Sequence, residues 1–393
     1  MRKIIFTLLA ATMLTPIHAQ ADFARGADIS WCTEMEADGK YFYNAAGEEK
    51  DIFVLMKELG MTAIRLRVWV NPSRFGYGAW NDSADVVNKA KRAHAQGLDL
   101  MIDFHYSDFF ADPGTQNIPL DWQDYMMEQL QAAMAMHTRN ILQALKDEGI
   151  EPKWVQVGNE TNSGMLNPLG KIDWELSRPE RFTSYVALSN AGYDAVKQVL
   201  PNTSVIIHLG GAENPQWFFP NFLAAGGKVD MIGVSHYPTA DEWNSTANDA
   251  THSNINAAQW VAQAAQQFNL PVMICETGFD VNQPALADQV MQDLFAHMTA
   301  IPQCAGIFYW EPEVDGMWRP AYYANLGWGA YGLGAFTTNG KPTAALNAFA
   351  GKTQGLEETQ INNKSQIKYN LLGQQVGDDY YSIVIQNGKK QIK

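Results

Sequence analysis

The chain has 393 residues, with 28 Lys and Arg against 42 Asp and Glu, for a formal charge of −14. That balance excludes a polyanionic partner, so nucleic acid is not expected, while the length allows one large core. Aromatic content is 11%, with 12 Trp and 15 Tyr; that is more than packing needs, and flat rings suit the apolar faces of a neutral sugar.

The first residues, Met1-Arg2-Lys3, precede an apolar run from Ile4 to Leu14 and small residues at Ala19 and Ala21. This order reads as a secretory signal peptide over 1–21, too short to span a bilayer. No later stretch is long and apolar enough to cross one. The expectation is therefore a secreted or periplasmic protein, or one at the outer cell surface, and not an integral membrane protein once the signal is removed. Cys32, Cys275 and Cys304 are too few and too scattered for a disulfide framework or a zinc site, and read as buried thiols.

From residue 22 to 350, strand-like and helix-like runs alternate. Strands are expected at 24–31, 63–70, 98–106, 153–158, 204–209, 229–236, 271–275 and 305–310. Helices are expected at 49–59, 84–96, 121–148, 179–200, 215–225, 255–268 and 285–299, with an eighth at 341–350. Eight βα units in one chain predict an α/β fold of the (β/α)8 TIM-barrel class. No Gly-x-Gly-x-x-Gly turn follows the first strand, which weighs against a dinucleotide fold. Residues 351–393 form a polar linker and a short β-like tail of two strand-like runs, with Asn387-Gly388 as a hairpin turn.

Polar residues collect at the ends of the expected strands: Arg67, His105, Asn159 with Glu160, His208, His236 with Tyr237, Glu276, and Trp310 with Glu311. Each alone is weak, because a strand-end His is about as often a structural group as a site residue. In a barrel, however, these ends converge on one rim. Glu160 closes the fourth strand and Glu276 the seventh, on opposed sides of an eight-membered ring. Two carboxyl groups in different surroundings suffice to cleave an acetal without cofactor or metal, one delivering a proton and the other meeting the anomeric carbon.

Finer stretches carry a family resemblance: Gly26-Ala27-Asp28-Ile29-Ser30, Ile64-Arg65-Leu66-Arg67-Val68-Trp69, Asp103-Phe104-His105-Tyr106-Ser107-Asp108, Gln156-Val157-Gly158-Asn159-Glu160, Ser235-His236-Tyr237-Pro238, Cys275-Glu276-Thr277 and Tyr309-Trp310-Glu311-Pro312. In this order they resemble glycoside hydrolase family 53, the endo-β-1,4-galactanases of the retaining (β/α)8 clan. The resemblance implies hydrolysis of β-1,4-galactan, in pectic arabinogalactan side chains, to galactooligosaccharides. It also implies Glu160 as acid/base, Glu276 as nucleophile, and Asn159 on the sugar 2-hydroxyl. Arg67 and Tyr237 would hold Glu276 ionised and oriented, and His105 and His208 would position the sugar or Glu160. Trp310 would lie under the sugar at the cleaved position, and Trp69 and Trp122 would serve neighbouring subsites.

The sequence departs from the family in two places. The calcium-binding Asp-x-Asp-x-His-x-Asn run of several bacterial members is missing after the seventh strand, where only Asp280 and Asp288 stand, so no metal is expected. Trp31-Cys32 replaces smaller residues in the first loop and would reshape a subsite. The alternatives are another retaining β-glycanase, acting on mannan, cellulose or xylan, and a non-catalytic carbohydrate-binding barrel. Oligomeric state is not legible; a monomer is the default.

Overall fold

A computed structural model describes residues 23–76 and 78–351, and in the C-terminal segment the strands 368–370, 375–376, 383–386 and 389–392. The expected signal peptide, the linker at 351–360 beyond Gly351, and the Asn387-Gly388 turn lie outside the described residues. The chain divides into two compact units, Met1–Gly351 and Lys352–Lys393.

The first unit is a closed barrel of eight parallel strands, the expected TIM barrel. They are β1 (Ala24–Asp28), β2 (Ala63–Val68), β3 (Asp99–Phe104), β4 (Trp154–Val157), β5 (Ser204–Leu209), β6 (Met231–Ser235), β7 (Val272–Thr277) and β8 (Cys304–Trp310). Each pairs with its neighbour in sequence, and β8 closes on β1 with Ala24 opposite Gly306 and Asp28 opposite Trp310. The strands are buried on both faces, which is why they read as apolar runs and not as alternating ones. The lower barrel interior is an apolar plug that includes Met101, Trp154, Ile206, Met273 and Phe308. Buried polar side chains, among them Asp28, Arg65, Asp103 and Gln156, lie above it towards the carboxyl ends of the strands.

The outer helices are α1 (Ile52–Glu58), α2 (Ser83–Ala95), α3 (Met127–Asp147), α4 (Thr183–Val199), α5 (Pro215–Ala224), α6 (Asn254–Phe268) and α7 (Pro284–Thr299). Their starts follow local chemistry. Asp51 caps α1 by accepting from Phe53 and Val54 N–H, and Asp82 caps α2 through Asp85 N–H. The helix expected at 49–59 begins late because Glu49–Lys50 pairs with Phe42–Tyr43 as a small antiparallel ladder. The helix expected from 121 begins at Met127, since Leu120–Trp122 is a separate 3₁₀ turn whose Leu120 N–H is taken by Asp108. The eighth helix is a 3₁₀ segment, Ala344–Ala350, seated on α7 through Phe349 and Phe295, ring centroids 4.7 Å apart.

One irregularity in β7 decides the site. Strict alternation would put Met273, Cys275 and Thr277 on one face and Glu276 on the other. Against β6, Val234 pairs with Ile274 but Ser235 with Glu276; against β8, Ile307 pairs with Ile274 but Tyr309 with Thr277. Both shifts place one extra residue in β7, a bulge that lets Cys275 and Glu276 both turn inward. Cys275 joins the plug, and Gly233 leaves it room: a Cβ there would sit 2.8 Å from Cys275 Sγ.

The second unit's described strands form a four-stranded antiparallel sheet in the order 375–376, 368–370, 383–386, 389–392, twice the number of strands expected for the tail.

Candidate active site

At the carboxyl end of the strands lies a cavity of about 530 Å³, lined among others by His105, Asn159, Glu160, Tyr237, Glu276 and Trp310. Six of the ten site residues expected from the sequence thus share one space.

Its electrostatic centre is Arg65, fully buried on β2. Its guanidinium donates to Asp28 (2.7 Å), Asp103 (2.8 Å), Gln156 (2.7 Å) and Asn159 Oδ1 (2.8 Å). Nη2 is also 2.9 Å from Glu276 Oε1. Glu276 Oε2 accepts from Tyr237 Oη at 2.9 Å. Burial raises the Glu276 carboxyl, and Arg65 and the Tyr237 hydroxyl oppose that rise. This corrects the expectation for Arg67. The ion pair to Glu276 comes from Arg65, one inward position earlier on the same strand. Arg67 pairs with Glu311, with its guanidinium 4.7 Å from the Phe110 ring centroid and 5.1 Å from that of Trp31.

Glu160 is placed differently. It sits in the left-handed region at φ 46°, ψ 55°, just after β4, where a non-glycine residue carries backbone strain of the kind that clusters at active sites. Its Oε1 accepts from Ser235 Oγ at 2.6 Å, and no cation pairs with it among the described residues. Burial, and then the charge of Glu276, push its pKa up to about 8. Of the two acids, Glu160 therefore holds the proton, while Arg65 favours the ionised form of Glu276.

The amide and imidazoles brace this pair. Asn159 Nδ2 donates to Ala111 O (2.8 Å) and Oδ1 faces Arg65, so the amide's orientation is fixed. His105 Nδ1 accepts from Ala111 N–H (2.9 Å); the ring proton is therefore on Nε2, which meets Asp103 at 3.0 Å. His208 lies beneath the cavity surface, with Nδ1 3.0 Å from Asn159 Oδ1 and Nε2 3.1 Å from Ser235 Oγ. Burial, then Arg65, drives its pKa far down, so the imidazole is neutral. It touches the groups that hold Glu160 and does not line the cavity.

The aromatic side differs from expectation at two places. Trp69 is fully buried behind Phe109 and Phe110, ring centroids 5.1 and 5.0 Å away. Trp122 packs edge-on against His137 at 6.0 Å. Neither lines the cavity: Phe109 and Phe110 cover Trp69, and Trp122 turns towards His137 of α3. The wall is instead Trp310 with Trp31 (5.3 Å) and Tyr331 (4.7 Å), joined by Phe110, Trp318, Tyr323 and Trp328. Trp31, the unusual first-loop residue, is fixed by its Nε1 donating to Tyr323 Oη at 2.7 Å. The others come from the long segment after β8, where no periodic signal marks them, and from the loop after β3. Ser235 gives no signal in the sequence, because a serine at a strand end carries no distinctive chemistry until its neighbours are known.

Among the described residues no cluster of three or more His, Cys, Asp or Glu is arranged to hold a metal. After β7, Asp280 is engaged locally by Asn282 N–H (2.9 Å) and Gln283 Nε2 (2.8 Å).

A closed parallel barrel with two unlike carboxyl groups in one aromatic-walled cavity defines a barrel glycoside hydrolase. The sequence profile described as glycosyl hydrolase family 53 matches residues 24–349. The chain belongs to that family. It is 34% identical over 265 residues to the endo-beta-1,4-galactanase of Bacillus subtilis, covering 66% of this chain and 57% of that protein. It is 30% identical to the arabinogalactan endo-beta-1,4-galactanase of Cellvibrio japonicus, covering 78% and 84%. Among solved structures, the Ignisphaera aggregans GH53 catalytic domain superposes with a TM-score of 0.71 at 28% identity, covering 84% of this chain and 95% of that one. A fungal beta-1,4-galactanase gives 0.70 at 26%, covering 83% and 98%. No helix among the described residues is long and apolar enough to cross a membrane.

Proposed function

We propose that this glycoside hydrolase is an exported endo-β-1,4-galactanase that cuts the galactan side chains of pectic arabinogalactan to galactooligosaccharides with retention of configuration. The observation that carries the mechanism is the unequal pair: Glu276 against Arg65 and Tyr237, and Glu160 against a hydroxyl with its pKa pushed up to about 8. The substrate follows from the family and from the names of the relatives.

In the first step a Glu276 oxygen bonds to the anomeric carbon as its bond to the glycosidic oxygen breaks. The Glu160 proton passes to that oxygen, and the reducing-end portion leaves. Esterified Glu276 no longer carries charge, so the repulsion that raised Glu160 disappears and the new carboxylate acts as a base. It takes a proton from water, whose oxygen displaces Glu276. Asn159 has one Nδ2 hydrogen committed to Ala111, which leaves the second to donate to the sugar 2-hydroxyl. Trp310 supplies the flat surface under the reacting ring.

The test is reducing-end release from β-1,4-galactan beside mannan, cellulose and xylan, with the first-formed anomer read by proton NMR. Selective cleavage of galactan with initial β product is expected. Preference for another polymer, or an initial α product, overturns the reading.

A further inference from the structure

In the mechanism proposed above Glu160 gives its proton to the departing oxygen, so the leaving chain passes Glu160, whose carboxyl is flanked by the loops that follow β4 and β5. The aromatic wall belongs to β8 and the loops after β1, β3 and β8, and includes no ring from the loops after β4 and β5. A continuous set of contacts leads away from the acid along it. Gly210 adjoins the carboxyl: a Cβ there would lie 3.0 Å from Glu160 Oε1, so glycine keeps the floor low. The Gly210 carbonyl accepts from Asn162 Nδ2 (2.8 Å) and Asn214 Nδ2 (2.6 Å). Asn214 Oδ1 in turn accepts from the Trp217 indole N–H at 2.6 Å. The Trp217 ring, in the first turn of α5, meets Trp174 at 5.3 Å with a 48° tilt.

The two indoles differ in what they do for the fold. Trp217 is half-buried and packs on Phe218 at 5.5 Å. Trp174 is 52% exposed, on a loop stitched to itself: Asp173 N–H donates to Arg181 O (3.1 Å) and Arg181 Nη2 to Leu176 O (2.9 Å). The Arg181 guanidinium lies 4.8 Å from the Trp174 ring centroid, a cation–π contact that favours this orientation of the indole. An exposed indole beside a half-buried one, reached from the acid across a floor of side-chain amides, combines a stacking surface with hydrogen-bonding groups, as a sugar requires.

We propose that Trp174 and Trp217 form a platform for galactosyl units on the reducing-end side of the cut, beyond the sugar that receives the proton from Glu160. The proposal rests on the galactanase reading for its ligand. It makes the enzyme sensitive to polymer length on the departing side, separately from the wall built around Trp310.

Trp174→Ala removes an exposed ring and leaves the barrel core untouched, so the full chain can be assayed directly. Two substrates separate the roles: long β-1,4-galactan, and a nitrophenyl β-1,4-galactobioside, whose departing nitrophenol ends short of the platform. For galactan, kcat/KM should fall roughly 3- to 10-fold through KM. For the nitrophenyl substrate it should stay within about twofold, and Trp174→Phe should recover most of the loss on galactan. An equal loss on both substrates, or no loss on galactan, overturns the platform. Wild-type enzyme that releases nothing from galactan overturns the galactanase reading and the platform's ligand with it, whereas wild-type and Trp174→Ala enzymes that cut galactan equally well overturn the platform alone.

Discussion

Arg65 and Arg67 stand two residues apart on the same inward face of β2, both fully buried, yet they serve different parts of the molecule. Arg65, next to the apolar plug, faces Asp28, Asp103 and Glu276. Its surplus of acidic partners keeps the site anionic at its base and its own charge secure. Arg67, one step nearer the rim, pairs with Glu311, and Glu311 Oε2 accepts from Trp31 N–H at 3.1 Å. One guanidinium favours the ionised form of the Glu276 carboxyl; the other anchors the aromatic wall. Depth along the strand, and not residue type, assigns the role.

The widest separation between the two centres is expected at their carboxylates. Glu276→Ala should lower kcat on galactan by at least about a thousandfold, with partial recovery in azide, because the covalent step proposed for this carboxylate would be lost. Glu311→Gln keeps the shape of the wall and touches no reacting atom, so its loss should stay below about tenfold and appear mainly in KM. Comparable collapse of kcat in both would mean that Glu311 belongs to the chemistry.

The arginines themselves come next. Arg65→Met leaves Asp28, Asp103 and Glu276 without their cation, and removing one partner of a buried ion pair costs about 3–5 kcal/mol. Urea unfolding should show at least that loss, together with near-complete loss of activity. Arg67→Met strands Glu311 alone and retains apolar packing against Trp31 and Phe110, so the unfolding midpoint should fall less and kcat should survive in large part. Equal midpoints would erase the distinction between the centres.

A pH experiment sharpens the contrast between the paired acid and the unpaired one. The folded pKa of Glu160 is raised from its ordinary 4.5 to about 8. In that window the unfolded chain has lost the proton that the folded chain keeps, so the stability tied to this proton is full below about 4.5 and is lost as pH rises towards 8. Glu160→Gln should therefore match wild type in Tm near pH 4.5 and exceed it increasingly up to pH 8, while losing activity on galactan. A Tm difference independent of pH would refute the raised pKa. In the wild type, kcat/KM should fall as pH rises through the same value. Ser235 donates to the Glu160 carboxylate and pulls its pKa down, so Ser235→Ala should move that alkaline limb upward, by less than about one pH unit.

Much of this was legible in the chain. All eight strands were, because fully buried parallel strands are short apolar runs with turn residues behind them. Glu160 and Glu276 were legible because each closes such a run. The choice between Arg65 and Arg67 was not: alternation places both inward, and only the register of β1, β3 and β7 around them says which one meets Glu276. The bulge at Cys275–Glu276 was hidden for the same reason, since an inserted residue shows only against its neighbours' pairing. Phe110, Trp318, Tyr323, Trp328 and Tyr331 sit in connections without period, where an aromatic residue gives no sign of the side it faces. Of the three tryptophans at sequence-marked positions, Trp310 lines the cavity, while Trp69 and Trp122 serve packing.

That last contrast gives the smallest expected effect. Trp310→Phe shrinks the surface that lines the cavity and should raise KM several-fold, roughly 3- to 10-fold. Trp69→Phe removes part of the packing around Arg67, whose guanidinium lies 5.3 Å from the Trp69 ring centroid, and should cost about 1–3 kcal/mol in unfolding free energy with little kinetic change. Trp122 touches neither arginine centre. It is 7% exposed and rests on His137, whose burial drives its pKa down to about 4 and keeps it neutral, so no charge depends on the indole. Trp122→Phe keeps an aromatic ring in that contact, and kcat and KM on galactan should both stay within about twofold of wild type. A several-fold rise in KM for this variant alone would show that the loop after β3 brings Trp122 to the sugar when substrate binds, and the boundary between wall and packing would have to be redrawn there.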